Sequence, residues 1–393
     1  MTTQFTYHLL TEAEEVKQLA HIFEQCFVGT PGEEEPYINQ VGLEVFRVLR
    51  QNQQLVGGLD ILNMGQWWGG QVVPMGGIAS VAIAPEYRGT GAAVSLLQYA
   101  LQELYTKQIP ISVLYPATQP LYRKVGYEQG GNLCTWEIPT QTIQLKEQFL
   151  PVQRVDLINQ KVFIDLYQQQ AKSSQGYLQR NSIIWQLITE TPANKSVLYA
   201  YLIGSSAQPQ GYLIFEQART SNGTILAIRD WAILTTAAAK TFWAFLHHHR
   251  SQIDKVQWKS PINDTLKLLL PEGTAKINSQ KTWFLRIVDL VKALELRGYP
   301  LGIEAELHLA VQDNLLSANH GKFILTIAHG QGKVTYGGRG DLQSDISGLA
   351  PLYTGLFTPH QLQLAGKLEA TETALATASS IFTGVTPAMV DYF

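Results

Sequence analysis

The stretch from Val81 to Tyr105, VAIAPEYRGTGAAVSLLQYALQELY, limits the choice of fold more than any other part of the chain. Val81 and Ile83 alternate with small residues and Pro85 closes the run, which predicts a short β-strand. Arg88, Gly89, Thr90 and Gly91 follow as a glycine-punctuated loop. From Ala92 onward Val94, Leu97, Leu101, Leu104 and Tyr105 recur at helical spacing, with Gln98, Gln102 and Glu103 between them. A strand that feeds such a loop and then a helix N-terminus is a place to hold an anion. Free backbone N–H groups and the positive end of the helix dipole converge there. Glycine leaves room for phosphate oxygens and tolerates positive φ. The loop has neither the glycine spacing of the dinucleotide fingerprint nor the Gly-Lys-Ser/Thr of the Walker loop.

With 393 residues the chain exceeds one ordinary domain, and two or three are expected. It is 45% hydrophobic and 16% charged, enough apolar matter for packed cores and too little charge for disorder. A formal net charge of −3 leaves no basic stripe, so nucleic acid is not an expected partner. The N-terminus MTTQFTYHLLTEAEE is polar and acidic and no apolar run is long enough to span a bilayer, so neither a signal peptide nor membrane attachment is expected. Cys26 and Cys134 form no disulfide framework and have no metal-ligand neighbours at useful spacing. The expectation is a cytoplasmic globular protein without a metal.

Thr11 to Phe27 predicts a helix opened by a Thr11–Glu14 capping box, with Val16, Leu19, Ala20, Phe23 and Phe27 on one face. Gly29 to Glu35 is expected to be a loop whose three glutamates form an acidic turn. Beside an acceptor cleft such a turn would suit a cationic amine. Val45–Leu49, Gln54–Leu62 and Gly70–Ala79 predict three antiparallel strands, with Trp67 and Trp68 in the turn before the third, as pocket wall or rim packing. Ile111–Tyr115 predicts the next strand, in parallel, and Leu133–Ile138 the last of a first unit.

The chain then repeats itself. Gln210–Phe215 parallels Gln54–Leu59, Asp230–Ala237 parallels the Ser80–Pro85 segment, and the helix from Ala238 to His248 parallels Ala92–Tyr105, at an offset of about 150 residues. The copy has no glycine between Asp230 and Arg250 and no arginine opening its loop, so it is expected to be inert toward a pyrophosphate. His247, His248 and His249 close its helix. Neighbouring helical residues diverge by about 100° and do not converge on one ion, which leaves the helix dipole as their expected partner. A third unit begins near Thr282. Leu285–Val288 predicts a strand and Asp289 caps a short helix. Gly302–Leu309, Lys322–Ala328 and Lys333–Tyr336 predict strands, followed by helices over Ile346–Phe357, Pro359–Ala365 and Glu369–Ile381, an α+β layer.

Arg88, Gly91 and Ala93, as Arg-x-x-Gly-x-Ala, resemble the pyrophosphate loop of the GCN5-related N-acetyltransferase superfamily. Leu121–Tyr127, LYRKVGY, resembles the Tyr-x-Lys/Arg-x-Gly-Phe/Tyr segment that ends the same core. The whole chain resembles the enhanced intracellular survival (Eis-like) family. That implies an α/β and α+β chain: tandem acetyltransferase folds over 1–149 and 150–284, the second degenerate, and a sterol-carrier-like α+β domain over 285–393. The resemblance implies acetyl-coenzyme A as co-substrate. Val81, Ala82 and Ile83 would hold its pantetheine through backbone groups. Arg88, Gly89, Thr90, Gly91, Ala92 and Ala93 would hold its pyrophosphate, and Ala117 and Thr118 would lie along the arm. The family often has Ser-Glu at those last two positions and more arginines in the loop. Cationic amine acceptors, aminoglycosides among them, and a homo-hexamer are implied too.

Acetyl transfer needs a neutral amine, a stabilised oxyanion and a proton for the departing thiolate. Tyr122, at the motif position, is the implied donor. A phenol near pKa 10 gives its proton downhill to a thiolate whose acid is near 8.5. The resemblance assigns the base to the carboxylate of Phe393. The tail TPAMVDYF is too apolar for a frayed end and predicts docking. Asp391 adds charge nearby, while Tyr392 stands where the family often has an acidic residue. Acetylation of a protein lysine or N-terminus, and a lipid carrier led by the third unit, are the competing readings.

Overall fold

The computed structural model describes residues 5–158, 160–190, 197–221 and 223–393, so the first four residues of the N-terminal stretch lie outside it. The first unit contains β1 (Phe5–Leu9), α1 (Ala13–Phe27), α2 (Glu34–Val41), β2 (Phe46–Gln51), β3 (Gln54–Trp68) and β4 (Gln71–Ile83). It continues with α3 (Ala92–Thr106), β5 (Ile111–Leu114), α4 (Gln119–Arg123) and β6 (Glu128–Pro139). The organising stretch is strand, turn and helix as its pattern predicts. α3 buries Leu96, Leu97, Ala100, Leu101 and Leu104 against the sheet, each leucine contributing about 1.5–3 kcal/mol.

The second unit holds β7 (Val152–Val155), α5 (Gln160–Lys172), β8 (Leu178–Gln179), α6 (Ser182–Thr189), β9 (Leu198–Ser205) and β10 (Gln208–Thr220). It ends with β11 (Gly223–Ile233), α7 (Thr236–His248) and β12 (Lys255–Ser260). Here β10, β11 and α7 repeat β3, β4 and α3, including a parallel pairing of β11 with β12 that matches β4 with β5.

After it come β13 (Lys276–Ile287), α8 (Leu290–Leu296), β14 (Ala305–Gln312), β15 (Gly321–Ala328) and β16 (Gln331–Tyr336). The chain closes with β17 (Leu342–Asp345), α9 (Ile346–Thr354), α10 (Pro359–Leu364), β18 (Leu368–Ala370) and α11 (Glu372–Ile381). Asp289 caps α8 through the Lys292 N–H, as expected. The third unit is a sheet in the order β16-β15-β14-β17-β18 covered by helices.

The large sheet is continuous across the first two units, in the order β1-β2-β3-β4-β5-β13-β6-β12-β11-β10-β9-β7. β13 lies antiparallel between β5 and β6, so the first unit's sheet is completed by a strand from far along the chain. A boundary at 284/285 falls inside β13, and the strand expected over Leu285–Val288 starts nine residues earlier, at Lys276. The solvent-facing half of that strand, Lys276–Lys281, lacks the apolar pattern that marks its buried end.

Other expectations need correction. α1 has Glu12 at its N-cap with no side-chain cap, so the Thr11–Glu14 capping box does not form. Glu15 instead accepts from the Thr11 N–H and from Arg50. Glu34 and Glu35 are the first turn of α2, not loop, and acidic groups there complement the helix dipole. Trp67 and Trp68 belong to β3. Trp68 is fully buried against Trp283 and Tyr353, so it is core rather than pocket wall. The turn after them is Gly69-Gly70, both at positive φ (+58° and +78°), as a two-residue hairpin demands. His247 is buried with its ring against the Ile143 carbonyl, and burial lowers its pKa, so it is not a cation for the helix end. His249 turns to the Phe245 carbonyl instead.

The inserted strand yields a test. Residues 1–149 expressed alone lack both β12 and β13, which leaves one edge of β5 and both edges of β6 unpaired, and are expected to show no cooperative urea transition. Residues 1–149 followed by a linked 276–287 peptide are expected to regain one. Two-state unfolding of 1–149 by itself would contradict this dependence.

Candidate active site

The loop has the geometry its glycines suggest. Gly89 (φ +79°) and Gly91 (φ +92°) are left-handed, and a Cβ on either would meet no atom within 4 Å, so the space above them is open. Gly91 precedes α3 and supplies no side-chain cap, and Ser95 is the residue whose N–H reaches back to the Gly91 carbonyl at 3.0 Å. The N–H groups of the first turn, from Ala92 and Ala93 onward, are therefore left for a ligand. Thr90 secures the turn by donating to the Tyr87 carbonyl at 2.7 Å. Arg88 does not reach over the loop. Its guanidinium donates to the Ile83 carbonyl and to the Cys26 sulfur, each at 3.3 Å.

β4 and β5 pair over only three positions, ending at Gly77 opposite Val113. Beyond that point β4 runs on to Ile83 with its β5-side edge unpaired, and a cleft opens between the diverging strands. The edge carries Val81, Ala82 and Ile83, with Val81 on the cleft wall and the other two side chains buried. A bulge lies here. Asp60 pairs with Ala79 and Gly58 with Ala82, so Ser80 and Val81 together oppose Leu59. Ala117 lines the cleft, and Thr118 stands at the N-cap of α4.

The cleft, of about 530 Å³, brings Tyr122 and Phe393 onto one wall system with Val81, Tyr115 and Lys281. Tyr122 comes from α4, packs edge-on to Tyr127 and is 4% exposed. Its hydroxyl has no hydrogen-bond partner among the described residues. Burial pushes its pKa up to about 12, so the phenol keeps its proton throughout the neutral range.

The tail is docked. Ala388 donates to the Gln175 carbonyl, and Tyr115 donates to the carbonyls of Met389 (2.7 Å) and Asp391 (3.2 Å). Tyr392 packs on Tyr115 and carries the Lys281 ammonium over its ring at 3.7 Å. The Phe393 ring sits against Gly77, where a Cβ would fall 2.6 Å from it. Asp391 does not face the cleft as a free charge. Its carboxylate accepts from Arg180 at 3.0 and 3.1 Å.

Arg180 also grips Asp230 with both terminal nitrogens (2.8 and 2.7 Å) and lies 3.5 Å over the Tyr167 ring. Tyr212 donates to Asp230, and Tyr167 to Asp391. All three charged groups are buried. This anchor is missed by sequence reading because Arg180, Asp230 and Asp391 lie far apart in an unremarkable context. Three charges that must be matched only once the tail folds back leave no spacing signal.

The second copy closes where the first opens. Thr235 caps α7, accepting from the Ala238 N–H at 3.2 Å and donating to Gln210. The Trp231 indole donates to the Lys259 carbonyl at 3.0 Å, tying β11 to β12 beyond their ladder. A capped helix and a tied strand pair offer a pyrophosphate nothing comparable to the first copy.

Comparison with known proteins finds three domain matches along the chain. Acetyltransferase (GNAT) domain models match residues 6–130 and 176–287, and a sterol carrier protein domain model matches 290–390. The chain is similar to the crystal structure of a GCN5-related N-acetyltransferase from Anabaena variabilis: 58% identity, TM-score 0.97, 99% of this chain and 100% of that one. It is 23% identical to the N-acetyltransferase Eis of Mycobacterium tuberculosis over 77% of this chain and 76% of that protein. An uncharacterised N-acetyltransferase of Streptomyces avermitilis is also 23% identical, over 80% of each.

Arg180→Met leaves Asp230 and Asp391 buried without their cation, and is expected to destabilise the protein by about 3–5 kcal/mol in urea unfolding. Asp391→Asn keeps the guanidinium paired with Asp230 and is expected to lose less. Equal losses would show that the tail's carboxylate matters as much as the guanidinium itself.

Proposed function

The chain belongs to the GCN5-related N-acetyltransferase family, in its Eis-like branch, and uses acetyl-coenzyme A; from that premise we propose that it acetylates cationic amines of aminoglycoside or polyamine type in the Tyr122–Phe393 cleft. The observation that carries the reading is the succession along β4 of a cleft that holds an unpartnered, protonated phenol, an unpaired strand edge running out of it to Ile83, and an open helix N-terminus just beyond that edge. The open space above Gly89 and Gly91 fits a pyrophosphate, and the unpaired edge from Val81 to Ile83 fits an amide-containing arm that pairs as an extra strand. When bound, the co-substrate supplies an activated acetyl thioester. Thr90, Ala92 and Ala93 contribute backbone to the cradle, while Ala117 and Thr118 border the arm. Arg88 acts by bracing the end of β4.

In this reading Tyr122 delivers a proton to the departing sulfur, and its raised pKa keeps the donor loaded. The α-carboxylate of Phe393 draws the ammonium in and takes its first proton. Glu33 at the N-cap and Glu34 and Glu35 in the first turn of α2 precede Tyr37, and their negative charge suits a cationic acceptor. The catalytic unit is 1–149 completed by β13, 150–284 serves as the inert copy that anchors the tail, and 285–393 packs beneath. A lipid-carrier role is disfavoured by the third unit's core. There the Arg297 guanidinium lies 4.7 Å from the Tyr353 ring centre and 5.0 Å from that of Phe382, where a lipid tail would need space. The family resemblance also carries a homo-hexamer, which sedimentation velocity tests.

Thiol release from acetyl-coenzyme A is the assay, run with aminoglycosides, polyamines and lysine peptides. Tyr122→Phe is expected to lower kcat by ~10²-fold or more with cofactor Kd unchanged. Gly91→Val, at φ +92°, is expected to weaken cofactor binding instead. If lysine peptides outpace every small amine, the acceptor is a protein and the small-amine assignment falls.

A further inference from the structure

We propose that Asp60, acting through the Ser80 hydroxyl, accepts the proton that leaves the acceptor nitrogen as its bond to the acetyl carbon forms. The inference rests on the acetyltransferase reading above. Asp60 is fully buried in β3, paired with Phe46 of β2 on one side and Ala79 of β4 on the other. It shares its sheet face with Gly58, against which Leu19 of α1 packs, and with buried Leu62. Neither of its carboxylate oxygens has a hydrogen-bond partner of normal geometry among the described residues; the N–H groups of Asp60 itself and of Ala79 and the Ser80 hydroxyl approach it only loosely and favour its charged form. A carboxylate buried without well-formed hydrogen bonds is expensive, and structures keep such groups chiefly where they act.

The bulge in β4 links this carboxylate to the cleft. Ser80 adopts φ +50°, a strained conformation for a residue with a side chain, and it lines the cleft. Its hydroxyl lies close enough to Asp60 to favour the charged carboxylate, and it neighbours the Tyr37 phenol as well. The net effect of burial still pushes Asp60 up to about 7. The groups that face Asp60 are Tyr37 from α2, with Glu34 one turn before it, Ser80 from β4 and the uncharged Phe46 from β2. The charged side chains of β2 and α1 that come nearest in sequence register are engaged elsewhere. Arg47 pairs with Glu103, and Arg50 with Glu15.

The proton count calls for such a group. An ammonium acceptor loses two protons on becoming an amide. The first goes to the Phe393 carboxylate in the reading above. As the C–N bond forms and the C–S bond breaks, the second passes to the Ser80 oxygen while the Ser80 proton passes to Asp60. Tyr122 protonates the departing sulfur. The Phe393 carboxyl and Asp60 then each release a proton to water and Tyr122 regains one, so each acetyl transfer releases one proton overall. A carboxyl that titrates near neutrality accepts readily and empties again between turnovers.

The test is the pH dependence of kcat for the full-length protein, Asp60→Asn and Ser80→Ala, with acetyl-coenzyme A binding as a check of the fold. Both variants are expected to lose ~10²-fold in kcat with cofactor Kd unchanged, and Asp60→Asn to lose the acidic limb of the profile. A packing role moves neither limb. Asp60→Asn with kcat within about threefold of the parent and the limb intact overturns the proposal. Should Asp60→Asn fail to bind cofactor, Ser80→Ala decides in the same terms. Difference infrared spectra of parent against Asp60→Asn read the carboxylic-acid stretch without turnover. Loss of that band near neutral pH supports the proposal; a carboxyl already ionised at about pH 5 overturns it. A parent that transfers acetyl to no amine fails the acetyltransferase reading, while the infrared result still judges Asp60.

Because the folded-state pKa of Asp60 lies above the unfolded value of 3.8, its contribution to stability is present below that value and lost as pH rises through about 7. Asp60→Asn removes that loss, and its Tm is expected to exceed the parent's at pH 8.

Discussion

One buried guanidinium holds the account together. Arg180 stands between Asp230 and Asp391 with every charge out of water, stacked on Tyr167 and surrounded by tyrosine hydroxyls that complete the carboxylates' hydrogen bonds. Removing such charges from water is costly, and two carboxylates against one cation leave a residual negative charge. Lys259 offsets part of it: the fields of Asp391 and Asp230 favour its charged form, although burial still lowers its pKa. What the arrangement gains is position. Asp391 belongs to the tail, Asp230 to the second copy's equivalent of β4, and Arg180 to the segment after β8, so the cluster ties the tail to the degenerate copy. Tyr392 and Phe393 are thereby set in the first copy's cleft.

This gives the second copy a physical role that does not depend on binding a cofactor. Its helix N-terminus is capped by Thr235 and its strand pair is tied by Trp231, which removes the features the first copy exposes. The same logic explains the shared sheet. β13 fills the gap between β5 and β6, and β6 pairs onward with β12, so neither copy has a complete sheet of its own. The hairpin tip at Gly69 approaches Gly298 closely enough that a Cβ would fall 2.2 Å from its carbonyl oxygen, which fastens the third unit to the first. Units that read as separate along the sequence are therefore mechanically one body around the cleft.

Sequence reading recovered what is local. The strand, loop and helix of the organising stretch, the repeat of β10, β11 and α7, and the capped α8 all follow from periodicity and turn chemistry. The docked tail was legible because an apolar end is visible without a structure, and a motif singled out Tyr122, which the fold sets on the cleft wall. The failures share a cause. The reach of β13, the burial of Trp68, the fate of Asp391 and the folding back of Arg88 are decided by partners distant in sequence, and no window of neighbouring residues carries them. Asp60 is the sharpest case: one aspartate in a β-run reads as ordinary alternation until its strand neighbours remove its water.

A crystal structure of the protein with bound coenzyme A tests the central claim most directly. The account predicts the pyrophosphate over Gly89–Ala93, the arm along Val81–Ile83, the thiol beside the Tyr122 hydroxyl, and the tail still anchored on Arg180. Coenzyme A seated at the N-terminus of α7, or a tail displaced from the cleft by the bound arm, would contradict it.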